Sequence, residues 1–185
     1  MPGAEASARK RAFDPVVDAD TRLLILGSLP GEASLKAGQY YAHPQNGFWR
    51  LIGGVIGRPD LTGQPYAERL DILKAHGIGL WDVIAEAERI GSLDTAIRLP
   101  RHADLKGLIA ALPRLEAIAF NGGKAAREGL RVLGAETRQL VLLTLPSSSP
   151  AMARPIAWKA NEWAVLRPFM RMPHAARDHM SHPET

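Results

Sequence analysis

Two kinds of apolar run alternate along the chain. Leu23, Leu24, Ile25 and Leu26 are continuous, the pattern of a parallel strand covered on both faces. Short strand-like runs recur over 78–83, 115–120 and 139–145. Between them the spacing becomes helical. Phe48, Trp49, Leu51, Ile52, Val55 and Ile56 predict a helix over 47–56. Tyr66, Leu70 and Leu73 predict one over 64–75, stopped at Gly77. Leu105, Leu108, Ile109 and Leu112 predict a third, ended by Pro113. Ala126, Leu130 and Leu133 share one face of a fourth, and a last helix over 156–170 packs Trp158 and Trp163 inward. Strands followed by helices four times predict an α/β fold: a three-layer α/β/α sandwich with a central four-stranded parallel sheet and right-handed crossovers.

The ends of the chain stand outside this pattern. Residues 1–12 are rich in Ala, Arg and Lys without apolar period and read as a mobile tail. Residues 13–172 read as one domain, and 173–185 as a disordered tail. His174, His179 and His182 fall there with no partnering acids, which argues against a metal site. Asp82 and Asp94 each stand where a carboxylate caps a helix, and are read as caps.

Three loops leave the carboxyl ends of strands: 28–46, 121–123 and 146–154. In an open α/β sheet that edge is where ligands bind, so the three can converge on one pocket. Gly27, Pro30 and Gly31 end the first strand. Tyr40 and Tyr41 then offer flat faces for stacking a base, and Asn46 an amide that can orient water or read a base edge. Gly122-Gly123-Lys124 lacks the four-residue spacer of a phosphate loop, which excludes nucleoside triphosphate binding by that motif; the glycines read as letting a helix begin close to the sheet. Pro146-Ser147-Ser148-Ser149-Pro150 combines hydroxyls and backbone amides suited to phosphate contact, and is also an ordinary Ser-Pro turn.

Composition adds a partner class. The 185 residues are 46% hydrophobic and 23% charged, as in a soluble globular domain. Absence of cysteine excludes disulfides and thiolate metal sites and fits a reducing, cytoplasmic setting. No metal or cofactor is expected. Neither a signal pattern nor a long apolar run is present, so no membrane role is predicted. The net charge is +4, and from Arg98 to Arg171 twelve Lys or Arg face five acids, a local balance of +7. That half suits a polyanion, with Lys124 and Arg154 as candidate phosphate contacts.

G-S-L-P-G-x-x-S from Gly27, Y-Y-A-H-P-Q-N-x-F-W from Tyr40, and L-P-S-S-S-P from Leu145 together resemble the uracil-DNA glycosylase superfamily, most closely its hypoxanthine-DNA (deoxyinosine) branch. The resemblance spans about Leu23 to Trp163. It implies a monofunctional enzyme that flips a deaminated base, most closely hypoxanthine, from DNA of the nucleoid and hydrolyses its N-glycosidic bond, without cofactor and as a monomer. Where the superfamily often places a water-positioning Asp or Asn, this chain has Leu29. The deoxyinosine branch uses instead the Asn of Q-N-x-F-W, which assigns catalysis to Asn46. By the same resemblance Tyr41 stacks on the base, Asn121 reads its edge, and Gly27 and Ser28 line its pocket. Ser147, Ser148 and Ser149 grip phosphates, and Met152 or Arg154 wedges into the vacated stack. The alternatives are a mismatch-specific uracil or thymine glycosylase, and a non-catalytic DNA-binding module on the same fold.

Overall fold

The computed structural model describes residues 9–137 and 139–172. Its strands are β1 (Arg9–Arg11), β2 (Leu23–Gly27), β3 (Ile78–Asp82), β4 (Ile84–Glu88), β5 (Arg98–His102), β6 (Ala117–Asn121) and β7 (Val141–Leu145). Its helices are α1 (Glu32–Ala37), α2 (Phe48–Val55), α3 (Tyr66–Ala75), α4 (Leu105–Ala110), α5 (Gly123–Leu133) and α6 (Ile156–Trp163). The main sheet has the order β3-β2-β6-β7, all parallel. Strand order therefore reverses between β2 and β6, the switch point at which such sheets open a crevice.

Alternation along the strands divides the core. Leu23, Ile25, Ile78, Leu80, Ala117 and Ala119 face α2 and the carboxyl-terminal segment, where Phe48, Ile52, Trp163 and Leu166 are fully buried. Leu24, Leu26, Ile118 and Phe120 face the other way, against Leu105 of α4 and Ala125, Ala126 and Leu133 of α5. The result is the expected three-layer sandwich. A β-carbon on Gly129 would lie 2.2 Å from the Phe120 ring, so the close approach of helix to sheet falls at Gly129. Gly122 serves conformation instead: with φ +102° and ψ 162° it occupies a region essentially closed to other residues as the chain turns from β6 into α5.

A second sheet, β1-β4-β5, antiparallel, was not foreseen. Only Val83 separates β3 from β4, so the chain passes directly from one sheet to the other. Its strands read RKR, IAEAE and RLPRH, too polar to register as apolar runs. Charges hold them together, with Arg9 3.1 Å and Arg101 3.5 Å from Glu86, while Lys10 ties the edge strand to Glu32 of α1. Residues 9–11, assigned from sequence to a tail, are thus an edge strand of the fold. One face of this sheet closes over Leu29, Ile84, Ala87 and Ile97.

Other expectations change locally. The last helix ends at Trp163 and continues as a 3₁₀ segment, Ala164–Phe169, with Pro168 inside it. Trp163 is buried as expected, but Trp158 is exposed beneath the Arg154 guanidinium, 5.2 Å from its ring centre. Leu130 likewise faces solvent. The short helix α1 breaks what sequence treated as one continuous loop. His174, His179 and His182 lie outside the described residues. Among those described, no helix is long and apolar enough to cross a membrane, and no cluster of His, Asp and Glu could hold a metal ion.

Candidate active site

The carboxyl edge of the main sheet ends in a row of side chains on the α2 face. Gly27 pairs in register with Asp82, and Leu26 with Phe120, so Asn121 stands beside Gly27 on the opposite flank. Because Ile25, Leu80 and Ala119 two residues earlier face α2, Gly27, Asp82 and Asn121 face it too. The row reads carboxyl, gap, amide. A β-carbon on Gly27 would fall 2.6 Å from Asp82 Oδ1 and 3.2 Å from the Tyr41 hydroxyl, so glycine is required for these two groups to approach.

Asn121 is buried and already bonded. Its Nδ2 donates to Ser148 Oγ and its Oδ1 accepts from the Ser148 amide, each at 2.9 Å. Its second Nδ2 proton faces the Tyr41 hydroxyl. Ser148, predicted to grip phosphate, is therefore a buried pin between β6 and the loop after β7. Its carbonyl also accepts the Gly47 amide at 2.9 Å, tying that loop to the entry of α2. Ser147 and Ser149 are half-buried, and each hydroxyl accepts a backbone amide two residues on, the local turn that Ser-Pro composition predicted.

The Tyr41 ring stacks on Phe48 at 3.9 Å and 13°, with the Tyr40 ring tilted 6.1 Å away. Its φ of +53° is unusual for tyrosine. Its hydroxyl, beside the Asn121 amide and the Asp82 carboxyl, is buried with no hydrogen bond of normal geometry. Burial, and then the Asp82 charge, push this phenol well up. Asp82 Oδ2 is buried and unpartnered as well. Burial first, then the neighbouring Asp94 charge, push the Asp82 carboxyl up to about 7, with Arg89 acting in the opposite direction. A buried polar atom without a partner typically costs about 1–3 kcal/mol, so two at one spot mark a place the fold alone does not complete.

Neither Asp82 nor Asp94 is a helix cap, contrary to the sequence reading. Asp94 accepts the Ser28 hydroxyl at 2.6 Å, which occupies the group predicted to line the base pocket. Nearby, Ser92 Oγ accepts the Glu32 amide at 2.8 Å, while the buried Arg89 guanidinium donates to the carbonyls of Leu29 and Pro30. Arg89, Ser92 and Asp94 thus clamp the loop after β2 from the segment between β4 and β5. Leu29 turns away into the apolar cluster with Ile84, Ala87 and Ile97, so its position offers no polar group to the pocket.

Asn46 lies at the other side of this loop system. Its Oδ1 accepts the Phe48 amide at 3.0 Å, fixing the side chain at the entry of α2. It lines a groove of about 450 Å³ with Arg50, Met152, Arg154 and Lys159, and no Asp or Glu is among the lining residues. Lys159 is buried, its ammonium donating to the Ser149 carbonyl at 3.0 Å, and burial lowers its pKa. Arg50 and Lys159 were missed in the sequence; both sit in helical periodicity, where a basic residue looks like a solvated face. Lys124 is not part of this groove. It pairs with Glu128 at 3.2 Å, and Glu128 also binds His102 and Arg131.

Residues 15–169 match the Uracil DNA glycosylase superfamily. The chain belongs to that superfamily. It is 42% identical over 158 residues to a hypoxanthine DNA glycosylase of Methanosarcina barkeri, covering 84% of this chain and 96% of the relative. It is 44% identical over 161 residues to a hypoxanthine DNA glycosylase of Methanosarcina acetivorans, covering 85% and 98%. A solution NMR structure of a Methanosarcina acetivorans protein, named for uracil DNA glycosylase, superposes with a TM-score of 0.75 at 41% identity, covering 88% of this chain and 99% of that one. The superfamily resemblance and the α/β/α sheet expected from sequence are both borne out.

Proposed function

We propose that the chain is a monofunctional DNA N-glycosylase releasing deaminated bases, with hypoxanthine as its substrate and Asn46 as the group that serves the attacking water. The observation that carries this is the position of Asn46: fixed at the mouth of an acid-free basic groove, on the same loop system as the Gly27 gap, while Leu29 is apolar and turned away. The names of the two relatives support the substrate.

The target nucleotide leaves the stack, and its base lies against Tyr41 with its edge toward Asn121. As the bond from C1′ to N9 breaks, its electron pair departs with the base, and C1′ gains positive charge. Asn46 Oδ1 keeps one lone pair on the Phe48 amide; the other accepts a proton of the water whose oxygen attacks C1′. That water then loses a proton to solvent, and the released base takes one up. A neutral amide is no base at pH 7, so its contribution is orientation and dipole, about 2–4 kcal/mol. Arg50 and Arg154, which line the groove, and the half-buried Ser147 and Ser149 meet the flanking phosphates in this reading, and Met152 or Arg154 fills the vacated stack.

The test uses duplexes bearing hypoxanthine, uracil or mispaired thymine, incubated with the chain in EDTA and then treated with alkali to cleave at abasic sites. Strand cleavage only with hypoxanthine, or fastest with it, is expected. Faster release of uracil would favour the reading suggested by the name of the NMR relative. The monomer and its association with nucleoid DNA belong to the same proposal, checked by sedimentation with and without duplex.

A further inference from the structure

The row at the sheet edge contains one group that the reaction above does not use. Asp82 is fully buried, shares its face with Asn121, and is separated from it by the side-chain-free Gly27. Adjacent strands lie about 4.8 Å apart, so the two Cα atoms stand about 10 Å apart, with Asp82 Oδ1 and the Tyr41 hydroxyl reaching over Gly27 between an acceptor and a donor; a base edge entering there takes the place of the hydroxyl. Asp82 Oδ2 has no partner there, and the Asn121 N–H not given to Ser148 lies against the Tyr41 hydroxyl. The Tyr41 hydroxyl, also unpartnered, closes the gap from above, and its ring is the platform already assigned to the base.

Deamination of adenine inverts the hydrogen-bonding edge of the purine. A ring nitrogen that accepted becomes an N–H donor, and the neighbouring amino donor becomes a carbonyl acceptor. A carboxylate beside an amide N–H matches the deaminated edge and opposes a lone pair to adenine. Resting on the proposed base-releasing activity, we infer that Asp82 is a specificity-determining residue whose carboxylate accepts the N1–H of flipped hypoxanthine while Asn121 donates to the adjacent carbonyl. The groups facing Asp82 are Tyr40 and Tyr41 from the motif loop, and Asp94 and Arg89 from the segment after β4. Asp94 opposes its ionisation and Arg89 favours it, which leaves the carboxyl poised to change state near neutrality.

The inference predicts a rising pH limb, because the carboxylate accepts the N–H far more strongly than the neutral acid does: single-turnover release of hypoxanthine by the parent chain should climb through about pH 7. An oligonucleotide bearing 1-methylhypoxanthine, which lacks the N–H, should be processed at least about 100-fold more slowly. Asp82→Asn should slow hypoxanthine release about 10–100-fold, abolish the pH limb, and narrow the gap between the two substrates to under about 10-fold, since the protein group and the substrate atom are then uncoupled. Its affinity for DNA carrying a tetrahydrofuran abasic analogue should match the parent's, which a variant that is merely misfolded would not achieve. A parent that releases both bases equally, or an Asp82→Asn chain that keeps the limb and stays within about 3-fold of the parent on hypoxanthine, overturns the inference while leaving the activity standing. Should Asp82→Asn not fold, the substrate pair and the parent's pH profile decide alone. A parent that releases no hypoxanthine fails the activity itself.

Discussion

Asn46→Ala separates what Asn46 does for the fold from what it does for the chemistry. Its Oδ1 accepts the Phe48 amide at 3.0 Å, and Phe48, Trp49, Leu51 and Ile52 are all buried against the sheet, so the turn it stabilises opens directly into the core. Removing such a local acceptor costs about 1 kcal/mol, as for a lost helix cap. If the remaining lone pair holds the attacking water, the same change removes one preorganised dipole and slows the chemical step about 10²–10³-fold, equivalent to about 2.7–4 kcal/mol of barrier. Asn46→Asp restores the acceptor and places a charge at the start of α2, where helix polarity favours it by about 0.3–1 kcal/mol. Urea unfolding should therefore show Asn46→Ala shifted down by about 1 kcal/mol and Asn46→Asp at or above the parent. Single-turnover release of hypoxanthine, with enzyme in excess of labelled duplex, should fall in Asn46→Ala by far more than binding does. If that variant releases base at the parent rate, Asn46 only shapes the loop and the water is held elsewhere.

Three further outcomes follow from the same geometry. Arg154→Ala should flatten the slope of log affinity against log salt by about 1, whereas Lys124→Ala should leave it unchanged, because Lys124 is engaged with Glu128 outside the groove; fluorescence anisotropy across a salt series reads both. Arg89→Met removes a buried guanidinium from the Leu29 and Pro30 carbonyls and from Asp82 and Asp94, and should cost about 3–5 kcal/mol in urea unfolding at an unchanged m-value. Asp82 is raised to about 7 when folded against an unfolded value near 4, so the native state binds the extra proton and its stability falls as pH rises through that window, by up to about 4 kcal/mol. Asp82→Asn should accordingly unfold later than the parent at pH 8, with the difference vanishing below about pH 4.

That last sign shows where the fold gives up stability. The Asp82 carboxyl beside another acid and Tyr41 at positive φ, each with a buried oxygen that has no partner, lie within one row and the loop above it. The Tyr41 ring packs on Phe48, but neither its hydroxyl nor the Asp82 carboxyl serves the packing, which Phe48, Trp163 and the alternating strands complete. Local strain concentrated at one place is what a site held ready for a ligand looks like. The stability of Asp82→Asn and its loss of discrimination are then two readings of the same unpaired atom.

What the sequence disclosed, and what it hid, follows from which signals are local. Strands β2 and β6 were legible because they are buried on both faces and so read as apolar runs, and β7 because it is apolar in composition although it lies half-exposed at the sheet edge. Helix α2 was legible from its one-sided burial. The small sheet was not, because its strands carry Arg and Glu that pair across the sheet, and no window of either strand contains the partner. The site divided along the same line. Gly27, Tyr41, Asn46 and Asn121 stood out through loop composition and a motif order shared with a superfamily; Gly27, Tyr41 and Asn121 meet at the sheet edge, while Asn46 lines the neighbouring groove. Asp82 and Asp94 looked like caps, since a carboxylate after an apolar run has the same local signature whether it meets a helix terminus or a hydroxyl 66 residues away. Only the strand register, placing Asp82 opposite Gly27, turns that residue from a cap into a candidate reader of the base.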